Sequence, residues 1–241
     1  MPTLTEHLVN LTTVPSYSEA TQHPFLIAAG DGTLLSDRLA LWLSQDRIYA
    51  AHAYPAFIGA LITSIPWDSS HPVGSPGEQR NQHILSVLVF CLQNIVQEVN
   101  FFRDTAAKWD LPIDGWKERK GTRDYTAEMA RISKDGILTD GLIFLWAMER
   151  VYLDAWTFVR NQLKANGQDM NSAVGSFAAN WGGPDMINFV NTLTKLIDGL
   201  EFQPGTDAWR RAEDIWTRVV ELEVDFWPMP GEEISQRISP K

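Results

Sequence analysis

The sequence predicts an all-α protein folded as a single domain. Three observations carry that expectation. Apolar residues recur with the three-and-four spacing of a helix along nearly the whole chain. No stretch alternates apolar and polar residues between turns in the way a strand requires. Glycine and proline fall where such helices should begin or end. The 241 residues suit one large domain or two small ones and can bury a sizeable core. No short-period repeat is present.

Taken in order, Thr3–Leu11 reads as a short helix after Pro2. Ser18–Ala29 follows, with Ser16 or Ser18 available as a cap, and stops at Gly30. The turn Gly30–Thr33 leads to Ser36, which opens a long apolar helix reaching Ile65. Pro55 lies inside this helix and should kink it or break its hydrogen-bond ladder; Pro66 ends it. Ser69–Gly77 is a loop. Glu78–Trp109 is a second long helix with Ile84, Leu88, Cys91, Leu92 and Ile95 on its apolar side. A loop over Leu111–Gly121 precedes helices over Thr122–Ile132 and Gly136–Lys164, the second closed by Asn166-Gly167. Shorter helices cover Ser172–Asn180 and Asp185–Leu200. After Pro204-Gly205 the last helix runs over Asp207–Phe226, giving seven or eight helices in all. Residues 230–241 read as a loose tail.

Composition narrows the functional classes. With 44% hydrophobic and 21% charged residues, the chain is ordinary for a globular protein. A formal net charge of −10 argues against attraction to nucleic acid or to an anionic membrane. One cysteine cannot form an internal disulfide. No secretory signal opens the chain, and no uninterrupted apolar segment approaches the ~18–20 residues that span a bilayer. A soluble, cytoplasmic protein is the expectation.

Carboxylates on apolar faces are the unusual feature. In the Leu39–Phe57 helix, Asp46 shares a stripe with Leu39, Trp42, Leu43, Tyr49, Ala50, Ala53 and Phe57. Glu149 lies with Trp146, Leu153 and Trp156, and Glu223 with Trp216, Val219, Val220, Phe226 and Trp227. Each acid has an aromatic residue three positions on: Tyr49, Tyr152 and Phe226. A buried charge must be paired. Two explanations stand: ion pairs with Arg47, Arg150, Arg210 or Arg211, or one shared cavity with aromatic walls and carboxylate anchors for a flat, basic heterocycle.

Other chemistries have little support. The five histidines show no metal-ligand spacing. Cys91, inside the apolar run Val87–Leu92, reads as a core thiol. No GxSxG element is legible, and Gly182-Gly183 lacks a phosphate-loop context. His23 could serve as an axial haem ligand but reads more simply as a helix-end surface histidine.

Two end motifs resemble a known family. HPFLIAAGDGTL (His23–Leu34), followed by QDRIY (Gln45–Tyr49), is similar to the N-terminal signature of the TenA/THI-4 family, or thiaminase II; ELEVDFWPM (Glu221–Met229) is similar to its closing Glu-x-x-Phe-Trp motif. Tyr125 and the Leu142–Trp156 helix with Tyr152 fall between them in the family's order, so the resemblance covers about residues 20–229. It implies a heme-oxygenase-like helical bundle without haem or other cofactor, assembled as a homo-oligomer, dimer or tetramer. It implies a pocket for the aminopyrimidine half of thiamin and hydrolysis of amino- or formamidomethylpyrimidines to hydroxymethylpyrimidine. By the same resemblance, Asp46 binds the amidine edge of the pyrimidine, Tyr49 and Phe226 sandwich its ring, Glu223 is the acid/base, and Tyr125 and Tyr152 are hydrogen-bonding partners. The chain departs from the family where many members carry a nucleophilic cysteine four residues before the tyrosine matching Tyr152: that position is Met148. A cysteine-lacking branch is thought to use an additional glutamate, and Glu149 adjoins Met148, although neighbouring helix positions point about 100° apart. The segment around Trp181 also departs from the family's tyrosine-bearing sequence. Two other functions remain open at the level of sequence: a non-catalytic binder of a small heterocycle, and different small-molecule chemistry on the same fold.

Overall fold

The structure, a computed structural model, describes residues 2–238. Among them the expected all-α architecture holds: there are helices and no strand, only one isolated antiparallel bridge between Trp116 and Arg237. The helices are α1 Leu4–Val9, α2 Tyr17–Thr21, α3 Pro24–Gly30, α4 Ser36–Ile48, α5 Tyr54–Thr63, α6 Pro76–Lys108, α7 Lys120–Asp135, α8 Leu138–Ala165, α9 Ala173–Trp181, α10 Pro184–Asp198, α11 Asp207–Phe226 and α12 Glu232–Ser235. Tyr49–Ala53 joins α4 to α5 as a π-helical segment.

The higher helix count has local causes. The expected Ser18–Ala29 helix is two helices, because Pro24 restricts His23 to extended backbone and starts α3 at its own first position. Ser16 caps α2 with a reciprocal bond to Glu19. The segment expected as a loose tail is tied down as far as residue 238. Glu233 forms a two-bond ion pair with Arg38, and the Gln236 carbonyl accepts from the Lys117 backbone N–H. Residues 239–241 of that expected tail lie outside the described residues.

α8 is the axis of the bundle. It packs against α11, α3, α9, α10 and α2, and residues Gly141–Met148 are buried without interruption. A helix apolar all round is one enclosed by others. Below it, Trp42, Trp156, Phe177, Trp181 and Trp227 pack ring against ring, with centroids 5.2–6.4 Å apart. α6 has no uninterrupted apolar run of bilayer-spanning length, but it is the one helix among the described residues long and apolar enough, by length and mean composition, to span a bilayer. Its Ile84, Leu88, Cys91, Ile95 and Phe102 are buried in the bundle, while Val89, Phe90 and Val96 are exposed.

Two contacts set the geometry near the C-terminal end of α11. A Cβ on Gly121 would lie 2.1 Å from the Asp225 carbonyl oxygen, so only glycine lets α7 approach α11 this closely. Arg119, just before α7, is buried and donates to the carbonyls of Asp225, Phe226 and Trp227 and to Glu232. A guanidinium on the last carbonyls of a helix satisfies acceptors that have no partner within the helix and opposes the negative end of its dipole.

Candidate functional site

The seven side chains singled out in the sequence converge. Asp46, Tyr49, Tyr125, Glu149, Tyr152, Glu223 and Phe226 line one cavity, together with Ala50, Tyr54, Ile95, Glu98, Phe102 and Met148. Five pieces of chain supply them. α4 and the π segment bring Asp46, Tyr49 and Ala50, with Tyr54 at the start of α5; α7 brings Tyr125; α8 brings Met148, Glu149 and Tyr152; α11 brings Glu223 and Phe226; α6 brings the remainder. The π segment follows from Pro55. An α-helical register would press the proline ring against the Ala51 carbonyl, and the wider turn relieves that clash; its closing bond runs from the Tyr54 N–H to the Tyr49 carbonyl.

Every carboxylate in the cavity accepts from one aromatic donor on another helix. The Tyr152 hydroxyl donates to Asp46 Oδ2 at 2.9 Å, Tyr54 to Glu149 Oε1 at 2.7 Å and Tyr125 to Glu223 Oε1 at 2.5 Å. Trp181 Nε1 donates to Glu98 Oε1. The pairing is crossed relative to the sequence pattern. Asp46 and Tyr49, or Glu149 and Tyr152, share a face and point the same way, so a hydroxyl reaches the carboxylate only from the opposite wall. The ion-pair explanation does not hold: Arg150 pairs with Asp154, Arg210 with Asp207 and Arg211 with Asp140, and Arg47 is exposed.

Among the described residues no Lys, Arg or His lines the cavity, so no opposite charge offsets the cost of ionising four acids there. Burial is the main cause of the shifts that follow. It raises Asp46 well above the usual carboxylate range, with Glu98, Glu223 and Glu149 adding to the shift and the Tyr152 bond opposing it. Glu98 is pushed up to about 7, Glu149 to about 8 and Glu223 to about 8. Each is opposed by its single aromatic donor, and Glu149 is raised further by Glu98 and Glu223. Glu223 is 2% exposed and its Oε2 has no partner, a buried acceptor left facing the cavity.

The structure places the other residues named from the sequence as follows. Tyr49 and Phe226 do not form parallel plates. Their centroids are 5.9 Å apart at 58°, so they are adjoining walls in contact, and the Tyr125 ring meets both edge-on. Met148 lines the cavity with its sulfur 3.2 Å from the Tyr49 hydroxyl. Glu149 lines it too; the 100° between neighbours is accommodated because the cavity wraps around that edge of α8. His23 is not a surface residue: it is 5% exposed, its Nδ1 accepts from the Phe25 N–H, and burial with Arg119 nearby lowers it to about 4. Cys91 is buried behind Tyr54, its thiol pushed up to about 12 mainly by burial. Among the described residues no three His, Cys, Asp or Glu side chains are grouped to hold a metal ion.

Sequence reasoning missed Glu98 and Tyr54. Glu98 carried the same signal as the other acids, standing on the stripe Cys91, Ile95, Glu98, Phe102 of α6. Tyr54 was masked by Pro55, which obscured the register of the segment before it.

No protein-family model matches the chain. In sequence it is 22% identical over 214 residues to a "Probable bifunctional TENA-E protein" of Glycine max, covering 88% of this chain and 87% of that protein. It is 21% identical to a "Probable transcription factor" of Fusarium pseudograminearum across 94% of this chain but only 51% of that longer protein. Among solved structures, a TenA homologue from Pyrococcus furiosus matches with a TM-score of 0.75 at 19% identity, over 93% of this chain and 98% of that one. A chain described as a TenA-like thiaminase from Sulfolobus solfataricus gives 0.66 at 14% identity, over the whole of both chains. The likeness of fold therefore spans nearly all of the molecule.

Proposed function

We propose, on the premise that this is a TenA-type chain in both sequence and fold, that it hydrolyses the C–N bond on the side arm of thiamin-related 4-amino-2-methylpyrimidines. The observation that carries the reading is the cavity itself: aromatic walls, four carboxyl groups each with one aromatic donor, and no cationic side chain. Such a site complements a flat ring that presents an amine donor beside ring-nitrogen acceptors, because protonated carboxyls can both accept and donate. The bifunctional TENA-E relative and the TenA-like thiaminase support the assignment to thiamin-related chemistry.

In this reading Asp46, oriented by Tyr152 and kept protonated by burial, accepts from the exocyclic amine and donates its own proton to the ring nitrogen of the amidine edge. Tyr49 and Phe226 bound the ring. Glu223, oriented by Tyr125, takes a proton from water as the water oxygen attacks the side-arm methylene carbon. The C–N bond breaks with its electron pair passing to nitrogen: an ammonium arm, held by Glu149, leaves directly as ammonia, whereas the formylated arm takes the proton its nitrogen needs from Glu149. The products are the hydroxymethylpyrimidine and ammonia, or formamide from the formylated arm. Raised acidities suit both roles, since groups near 8 exchange protons readily at neutral pH. A thioether at Met148 cannot form a covalent intermediate by the thiolate route, so water is the direct nucleophile and thiamin itself should be cleaved poorly.

Purified protein incubated separately with thiamin, 5-aminomethyl- and 5-formamidomethyl-4-amino-2-methylpyrimidine should release hydroxymethylpyrimidine from the last two and little from thiamin. Glu223→Gln should lower kcat by about 100-fold or more. Absence of product from all three overturns the hydrolase; ligand-induced thermal stabilisation without turnover would identify a binding protein instead.

A further inference from the structure

A second chamber adjoins the inner cavity between α6, α9 and α10, lined among others by Phe90, Asn94, Gln97, Asn180, Trp181 and Asp185. Two residues line both chambers, and both are carboxylates: Glu98 and Glu149. Each is held by one oxygen, Glu98 by the Trp181 indole and Glu149 by the Tyr54 hydroxyl. Among the described residues neither Oε2 has a hydrogen-bonding partner, so the doorway presents two further acceptor oxygens. Asp46 and Glu223 lie deeper, 4% and 2% exposed, and the partnerless Oε2 of Glu223 independently marks the inner chamber as the place for an N–H donor.

We propose that Glu98 is a specificity-determining residue that, with Glu149, selects substrates whose side arm carries a positively charged primary amine over those with a neutral acylated arm. This rests on the aminopyrimidine reading above. With the ring against Asp46 and Glu223, a side arm directed at the doorway ends between two carboxylates. A primary ammonium has three donors and no acceptor, so it can serve both at once. A formamido group has one N–H and a carbonyl oxygen, and at least one doorway carboxylate then faces an acceptor. Burial holds Glu98 at about 7, and an arriving cation stabilises its ionised form, strengthening the preference at neutral pH.

Glu98→Gln tests this, since the amide oxygen can still accept from Trp181 while the charge is gone. The readout is the ratio of kcat/KM for aminomethylpyrimidine to that for formamidomethylpyrimidine, together with calorimetric Kd values for the aminomethyl and hydroxymethyl compounds. The ratio should fall about tenfold or more, through a higher KM for the amine, and Kd for the aminomethyl compound should rise by a similar factor relative to the hydroxymethyl one. Equal losses on both substrates, or an unchanged ratio, overturn the proposal while leaving the hydrolase intact. If wild type binds both compounds without turnover, the hydrolase reading fails and the ratio of Kd values still decides the role of Glu98. If wild type binds none of them, both fall.

Discussion

Glu223 shows what one buried residue costs and makes available. Burial raises its carboxyl from about 4.5 to about 8. Below about pH 4.5 it is protonated in folded and unfolded chains alike. From there to about pH 8 the unfolded chain ionises it while the folded chain keeps the proton, so this group's contribution to stability falls as pH rises. Glu223→Gln keeps an acceptor for Tyr125 and removes the titration. Denaturant unfolding should therefore show the variant gaining on wild type by roughly 1–3 kcal/mol between pH 5 and pH 8. His23, lowered to about 4, acts in the opposite sense between about 4 and 6.5, and it cancels in the comparison because both proteins carry it. At this scale the site was largely legible. Asp46, Glu149 and Glu223 stood out because a helical stripe is a local pattern, written within a few residues of one helix. The crossed partners were not, since Tyr152 meets Asp46 and Tyr54 meets Glu149 only across folded space.

At the scale of elements, the close approach of α7 to α11 aligns Tyr125 with Glu223. Gly121 lies one turn before Tyr125 and touches the Asp225 backbone, so the glycine sets the spacing across which the hydroxyl reaches the carboxyl. Gly121→Ala should cost about 1–3 kcal/mol in denaturant unfolding and weaken turnover in the same variant. Gly59→Ala on α5 is the control, because its added Cβ meets nothing within 4 Å; it should be neutral or stabilise by up to about 1 kcal/mol. Helix boundaries followed the sequence most closely where glycine, proline and caps act on their own neighbours: Asp207–Phe226 was read to the residue. They diverged where one proline governs several residues, at the His23 break and in the π segment before Pro55. The C-terminal segment was unreadable for a different reason. α12 is held through Arg38 and Arg119, about 195 and 113 positions earlier in the chain.

For the whole molecule, the distribution of charge matters more than its sum. The chain is acidic overall, yet the cavity residues that carry much of the chemistry hold their protons when the site is empty. A cationic heterocycle entering that cavity stabilises the ionised carboxylates, so binding at neutral pH should release protons. Calorimetry of aminomethylpyrimidine binding in two buffers of different ionisation enthalpy should give about one proton released near pH 7, falling toward zero above pH 9 as the groups ionise beforehand.

The indole of Trp181 donates its N–H to Glu98 and packs against Tyr152 and Trp156, so a fluorophore stands at the junction of the two chambers. Indole emission responds to charge at its nitrogen and to energy transfer among neighbouring rings. A proton leaving Glu98, or a cation settling beside it, therefore alters the light this tryptophan absorbs and emits. The bond that orients the carboxylate also gives the protein an optical record of whether its doorway is empty, protonated or filled, with no label attached.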